Sequence, residues 1–232
     1  MNKLLKIFLI CVVIIFIIDS LKVKEDMQDF KSSKQIKEKI YFGLKTIDEI
    51  FNKHGIYYVI GYGTLLGAAR HWDVIDWDDD ADLIIFKKDI PKIMKLKDEF
   101  AKHGLILDKN WKLLKIYFND TKFPFIDLFP VSNVNGVTQR CLTKYKGCVG
   151  IDKKWWTSQY FYPFKWLTKR QRLKLGKIQL WGPVKAINIL KHWYGKDCMT
   201  KCMTHDYDHI TGKYVKPKPV QCKDLPHPQI KL

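Results

Sequence analysis

Acidic residues are the scarce class in this chain. Its 232 residues carry 24 Asp and Glu against 41 Lys and Arg, a formal net charge of +17. No internal repeat and no low-complexity tract is present, which excludes solenoid and array architectures. No nucleic-acid-binding module is recognisable, so the basic excess is not read as a nucleic-acid surface. It favours phosphorylated substrates or an acidic membrane surface, or it reflects only a Lys-rich proteome. Cysteines number six, and none is paired at the C-x2-C spacing typical of structural zinc sites. What the chain does have is apolar mass. Hydrophobic residues make up 47% and aromatics 14%, enough for a packed core and against disorder. The length fits one domain, or one domain plus an anchor.

The N-terminus supplies the anchor. Lys3 and Lys6 precede an unbroken apolar run from Ile7 to Ile18, and Lys22 and Lys24 follow it. No A-x-A-like cleavage site comes after the run, so an uncleaved signal anchor is favoured over a cleaved signal. The run suits a thin early-secretory membrane. The expected topology is a single-pass type II membrane protein facing the ER or Golgi lumen. Cys11 lies inside the apolar run, and of the five cysteines that remain Cys141 with Cys148, and Cys198 with Cys202, are each spaced to close a local disulfide, the odd count leaving a thiol over. Asn119-Asp120-Thr121 is the one glycosylation sequon.

Periodicity outlines the rest. Ile36, Ile40, Leu44, Ile47 and Phe51 recur at helical spacing, which predicts an amphipathic helix over 27–54 ended by Gly55. "IYYVI" (56–60) reads as a buried strand, "GYGTLLGAARH" as a glycine turn opening a short helix, and "ADLIIF" as a second strand. Asp89 and Pro91 open a helix that runs to His103-Gly104. "LIL", "WKLLKIYF" and "FPFIDLF" are further strands, the last two joined by a turn at Asn119-Asp120. Pro183 starts, and Gly195 ends, a last short helix. The order predicts an α+β (mixed α/β) domain. Expected boundaries are 1–24 for the anchor, 25–55 for the leading helix, 56–210 for the catalytic domain and 211–232 for a tail.

The few acidic residues are concentrated. "DVIDWDDDADLII" (73–85) puts five aspartates between Asp76 and Asp82. Alternate strand residues share a face, so Asp80 and Asp82 present carboxylates side by side. Two ionised carboxylates beside an apolar strand repel, and a divalent cation such as Mg2+ or Mn2+ relieves them. The competing reading is a solvated acidic turn. Asp127 stands alone in the apolar strand "FPFIDLFPV", costly unless paired or metal-bound, or else it caps a turn before Pro130. "GYGTLLG" departs from the dinucleotide pattern, its third glycine one residue late. A strand, a glycine turn (Gly63), Thr64 and a helix N-terminus remain, where backbone N–H groups can hold a phosphate. Arg70 and His71 follow in that helix and are placed to reach a diphosphate, or are surface residues without a role.

The combination resembles the nucleotidyltransferase superfamily, and more closely the LicD/fukutin family. Its Gly-Thr-Leu-Leu-Gly, Arg-His and Trp-Asp-Asp-Asp-x-Asp elements match Gly63 to Gly67, Arg70-His71 and Trp77 to Asp82. "FIDLFP" and "LKHWYGKD" resemble its later elements, so the match spans about 57–197. Asp76 stands where the family often has proline. The resemblance implies a mixed sheet flanked by helices and transfer of a phospho-alcohol from a CDP-linked donor to a sugar or glycan hydroxyl. It also implies Asp80, Asp82 and Asp127 as ligands of one or two Mg2+ or Mn2+ ions. Asp127 is a choice for proton acceptor, with Asp78 and Asp79 shaping the loop or meeting the substrate rather than binding metal. Three other readings compete: a transferase of nucleoside monophosphates, a non-catalytic membrane-anchored glycan- or phosphate-binding protein, and a basic membrane-surface protein. The aromatic and cationic stretch 153–177 reads either as acceptor recognition or as core. "THDYDH" (204–209) reads as a polar loop rather than a metal ligand set.

Overall fold

The apolar stripe of the first helix decides how the sheet is covered. A computed structural model describes residues 34–110, 113–141, 161–204, 207–209 and 212–222. Helix α1 (Lys34–Lys53) buries Ile40, Leu44, Ile47 and Phe51, the predicted stripe. It lies on strands β5 (Thr121–Val134) and β8 (Ile178–Pro183). Gly43 makes the approach close, since a Cβ there would stand 2.6 Å from Ile126 Cδ1. Phe51 meets Tyr58 and Phe100 edge-on, with centroids 5.7 and 6.2 Å apart.

The main sheet runs β1 (Tyr58–Ile60), β2 (Ala81–Phe86), β5, β4 (Leu114–Phe118), β3 (Leu105–Lys109), with β6 (Val137–Arg140) also paired to β5. The β2–β5 pair is parallel and its neighbours are antiparallel, so the sheet is mixed. Between β1 and β2 lies helix α2 (Tyr62–Arg70). Between β2 and β3 lie α3 (Ile90–Met94) and α4 (Lys97–Lys102). A hairpin, β7 (Arg170–Leu175) with β8, and helix α5 (Ala186–Tyr194) complete the body. Short strands β9 (Cys202–Met203), β10 (Tyr207–Asp208), β11 (Lys213–Tyr214) and β12 (Pro219–Val220) form two ribbons after it. The α+β class is the one that the element order predicts, and the mixed sheet flanked by helices is the architecture that the family resemblance implies.

Several local expectations change. The helix opened by Asp89 and Pro91 is two pieces. Ile90, Ile93 and Leu96 are buried at spacings of three, and tight bonds from Lys95 to Lys92 and Leu96 to Ile93 close that turn before the helix resumes. Pro183 ends β8, opposite Arg170, instead of starting α5. Cys202 is bridged to Cys222 and not to Cys198, because the β9–β12 pairing brings their Cα atoms to 5.3 Å. Cys198 is free and buried, and Cys141 is disulfide-bonded. Residues 1–24, 27–33 and 153–160 lie outside the described residues. Among the described residues no helix is long and apolar enough to cross a membrane.

Replacing Phe51, fully buried against Tyr58 and Phe100, by Ala should cost about 3–5 kcal/mol through the cavity it leaves. Phe42→Ala, on the exposed side of the same helix, should cost no more than about 0.5 kcal/mol. Urea denaturation of the two variants measures the contrast.

Candidate metal centre and its cavity

The parallel pairing of β2 with β5 sets Asp82 opposite Asp127. By strand alternation Leu83, Ile85, Ile126 and Leu128 point to one face, and Asp82 and Asp127 to the other. Asp80, the residue immediately before β2, joins them. One carboxylate oxygen from each of Asp80, Asp82 and Asp127 lies within 4.8 Å of the others. On the far side of β5, Lys115 is the cross-strand partner of Asp127. Its ammonium stands 2.7 Å from Asp127 Oδ1, as an ion pair lying off the line of a hydrogen bond. The row Asp82, Asp127, Lys115 thus crosses three strands.

Electrostatics follow from this crowding. Burial raises Asp82, and Asp80, Asp127 and Asp78 raise it further. Asp80 is raised by burial and by Asp127, with His209 opposing. Burial raises Asp127 as well, with Lys115 offsetting part of the rise. Asp78 is pushed up to about 8 by burial and by Asp80 and Asp79. Three desolvated carboxylates facing one another, with one lysine among them, fit a divalent cation, which would replace protons as the neutralising charge. Hard oxygen ligands of this kind suit Mg2+ or Mn2+.

The acidic loop is built from both sides. Lys37 of α1 donates to Asp76 Oδ1 (2.7 Å) and to the Val74 carbonyl (3.2 Å), and Tyr41 bonds Asp73. Asp73 and Asp76 are therefore ties to α1. From the other side the loop rests on α2. A Cβ at Gly63 would stand 2.6 Å from Asp78 Oδ2, and one at Gly67 would stand 2.4 Å from the Asp73 carbonyl oxygen. Both glycines leave room for the loop. Thr64 is buried, and its hydroxyl accepts a hydrogen bond from the Asp82 amide (2.9 Å). Arg70 and His71 are 3% and 2% exposed, not surface residues. Arg70 Nε donates to His71 Nε2 (2.7 Å), and Arg70 Nη1 donates to the carbonyls of Cys198 (2.9 Å) and Lys201 (3.2 Å). Burial, and then the adjacent guanidinium, push His71 down to about 4. It is held neutral, as an acceptor for Arg70 must be.

Beside the carboxylates lies a cavity of about 580 Å³. Its lining includes Gly63, Arg70, Asp78, Asp80 and Asp82 from the α2–β2 region and Tyr194, Lys201, Tyr207 and His209 from the later part of the chain. Asp127, Thr64 and His71 sit behind this lining. Sequence reasoning missed two residues, Lys115 and His209. His209 Nδ1 is 2.7 Å from Asp79 Oδ1, and its Nε2 is 3.5 Å from Asp80 Oδ2. Burial draws its pKa down, but Asp79 and Asp80 outweigh this and the net shift is upward. The signal for His209 was the "THDYDH" stretch itself; nothing local tied it to the aspartates.

Two outcomes are expected. Gly67→Ala should destabilise by about 1–3 kcal/mol, since the added carbon meets backbone rather than a yielding side chain; urea denaturation reads this. A carboxyl whose folded pKa exceeds its unfolded value contributes stability below that value and loses it as pH rises. Metal-free protein should therefore gain thermal stability from about pH 8.5 to about 6.5 as Asp78 and Asp80 take up protons. Below about 6.5, His71 acts in the opposite sense, because the unfolded imidazole protonates first. Saturating Mn2+ should raise the melting temperature most at the alkaline end. A flat metal-free profile there would argue against a desolvated carboxylate cluster.

A family model described as LicD/FKTN/FKRP, nucleotidyltransferase domain, matches residues 55–185. An uncharacterized protein of Rickettsia prowazekii is 26% identical over 170 residues, 73% of this chain and 59% of that protein. Human ribitol 5-phosphate transferase FKRP is 33% identical over 92 residues, 36% of this chain and 18% of that protein. The chain thus spans just under three fifths of the first relative and about a fifth of the second. Lincomycin-bound lincosamide antibiotic adenylyltransferase LnuA aligns with a TM-score of 0.40 at 12% identity, over 70% of this chain and 87% of that one. The family match takes in more than half of the chain, including Asp80, Asp82, Asp127 and the helix that underlies them, and this protein belongs to the LicD/FKTN/FKRP family.

Proposed function

We propose that this protein is a divalent-metal-dependent transferase. It moves a phospho-alcohol, of the phosphocholine or ribitol phosphate type, from a CDP-activated donor to a sugar hydroxyl of a glycan. The observation that carries this reading is the Asp80–Asp82–Asp127 set beside a cavity of about 580 Å³. The family and the name of the FKRP relative add the reaction type.

Asp80, Asp82 and Asp127 would hold Mg2+ or Mn2+. When bound, the ion supplies a Lewis-acid grip on the donor diphosphate and offsets charge on the departing CMP. Lys115 favours the ionised form of Asp127, and Thr64 fixes the backbone at Asp82. Gly63 and Arg70 reach the cavity and would meet the donor diphosphate. Thr64 and His71 would act one step back, through Asp82 and Arg70. Asp127 is 9% exposed and ion-paired, a setting that suits a metal ligand better than a proton acceptor for the incoming hydroxyl. Residues 1–24 would tether the domain as a type II anchor facing the ER or Golgi lumen, and the Cys202–Cys222 disulfide supports an oxidising compartment.

The deciding experiment is a screen of CDP-ribitol, CDP-choline and free NTPs with a glycan acceptor, in Mg2+ or Mn2+, scored by CMP release and product mass. CDP-dependent transfer is expected, lost on chelation. Asp82→Asn or Asp127→Asn should lower it at least about 10³-fold, as removal of several kcal/mol of charge stabilisation implies, with the fold intact by circular dichroism. Unchanged turnover in either variant sinks the metal assignment. Incorporation of a nucleoside monophosphate would make the protein a nucleotidyltransferase instead.

A further inference from the structure

We infer that His209 is a nitrogen ligand of the cation held at Asp80, and that Asp79 is the carboxylate that orients its ring; this rests on the metal-dependent reading above. His209 lies outside the stretch matched by the family model, which ends at residue 185. It reaches the site from 130 residues away in sequence.

The ring is placed by its neighbours. Phe125 meets it edge-on at 5.1 Å and 89°, and Tyr207 at 5.1 Å and 74°. So held, the two nitrogens face two different carboxylates. The 2.7 Å contact from Nδ1 to Asp79 Oδ1 is a hydrogen bond, and since an ionised carboxylate only accepts, Nδ1 carries the proton. In the neutral imidazole the lone pair is then on Nε2, the nitrogen that faces Asp80 Oδ2 at 3.5 Å. That separation is long for a charge-assisted hydrogen bond. It is close to the roughly 3.0–3.4 Å between neighbouring ligands that each stand about 2.1 Å from one ion. A ring whose N–H binds a carboxylate while its other nitrogen points at a metal is the usual arrangement of a ligating histidine. Ligand atoms of Asp79, Asp80 and His209 lie within 4.8 Å of one another, as do those of Asp80, Asp82 and Asp127, and Asp80 belongs to both groups.

The segment that delivers His209 is itself tied down. The Cys202–Cys222 bridge and the β9–β12 pairing close its base. Thr204 and Lys218 exchange two hydrogen bonds at 2.9 Å. Arg70 holds the carbonyls of Cys198 and Lys201. A nitrogen ligand also changes selectivity, because imidazole favours later first-row cations over Mg2+ more than carboxylates do.

The test uses the full-length protein with MnCl2, CoCl2 or MgCl2 alone, without donor. Pulsed electron paramagnetic resonance of bound Mn2+ should show coupling to one 14N nucleus. His209→Gln should abolish that coupling and lower the ratio of Co2+ to Mg2+ affinity about tenfold or more. Asp79→Asn should keep the coupling while weakening Mn2+ binding about 10–100-fold. Mn2+ bound with loss in Asp82→Asn but without 14N coupling overturns this inference and leaves the carboxylate site standing. Coupling that persists in His209→Gln overturns it too, by assigning the nitrogen to another residue. Failure of the wild-type protein to bind Mn2+ overturns both this inference and the metal-dependent function.

Discussion

Carboxylates set against each other across a parallel strand pair repel, and much of this structure is arranged to hold them there. Asp82 and Asp127 share a register position on β2 and β5, and Asp80 closes the group. Burial makes the repulsion expensive, because little water remains to screen it. The surrounding residues supply partial remedies: Lys115 against Asp127, His209 against Asp79 and Asp80. These leave more negative charge than they neutralise, and that remainder is what a divalent cation would meet.

The scaffold around the group has two halves. From below, α1 ties the loop through Lys37 and Tyr41, while α2 supports it with Gly63, Gly67 and Thr64. Both glycines are explained by contact with the acidic loop. From above, Arg70 links α2 to the segment that ends in the Cys202–Cys222 bridge. His71 serves that link by accepting from Arg70 while remaining neutral. The Arg-His pair therefore joins the two walls of the cavity.

Local acidity and global basicity belong together in this arrangement. A chain of net charge +17 draws anionic ligands toward it. A carboxylate cluster within such a surface repels the same ligands until a cation is bound, so metal and anionic donor would be expected to load cooperatively. Lys201, which also lines the cavity, would offer the proposed donor's phosphate a positive charge.

The sequence by itself determined the elements and the suspects. The α1 stripe, the buried strands and the side-by-side placement of Asp80 and Asp82 are local periodicities, set by neighbours a few residues apart. The lone Asp127 in an apolar strand was legible as a cost needing a partner. Registers and remote partners were decided by tertiary structure. Counting back from the Asn119-Asp120 turn sets Phe118 opposite Thr121, but the ladder slips, and Tyr117 pairs with Phe125. Only that irregularity brings Lys115 to Asp127. The parallel β2–β5 pairing, the burial of Arg70 and His71, the choice of Cys222 over Cys198 and the arrival of His209 are equally non-local. Each depends on how separated segments pack together, and a one-dimensional period carries no information about that.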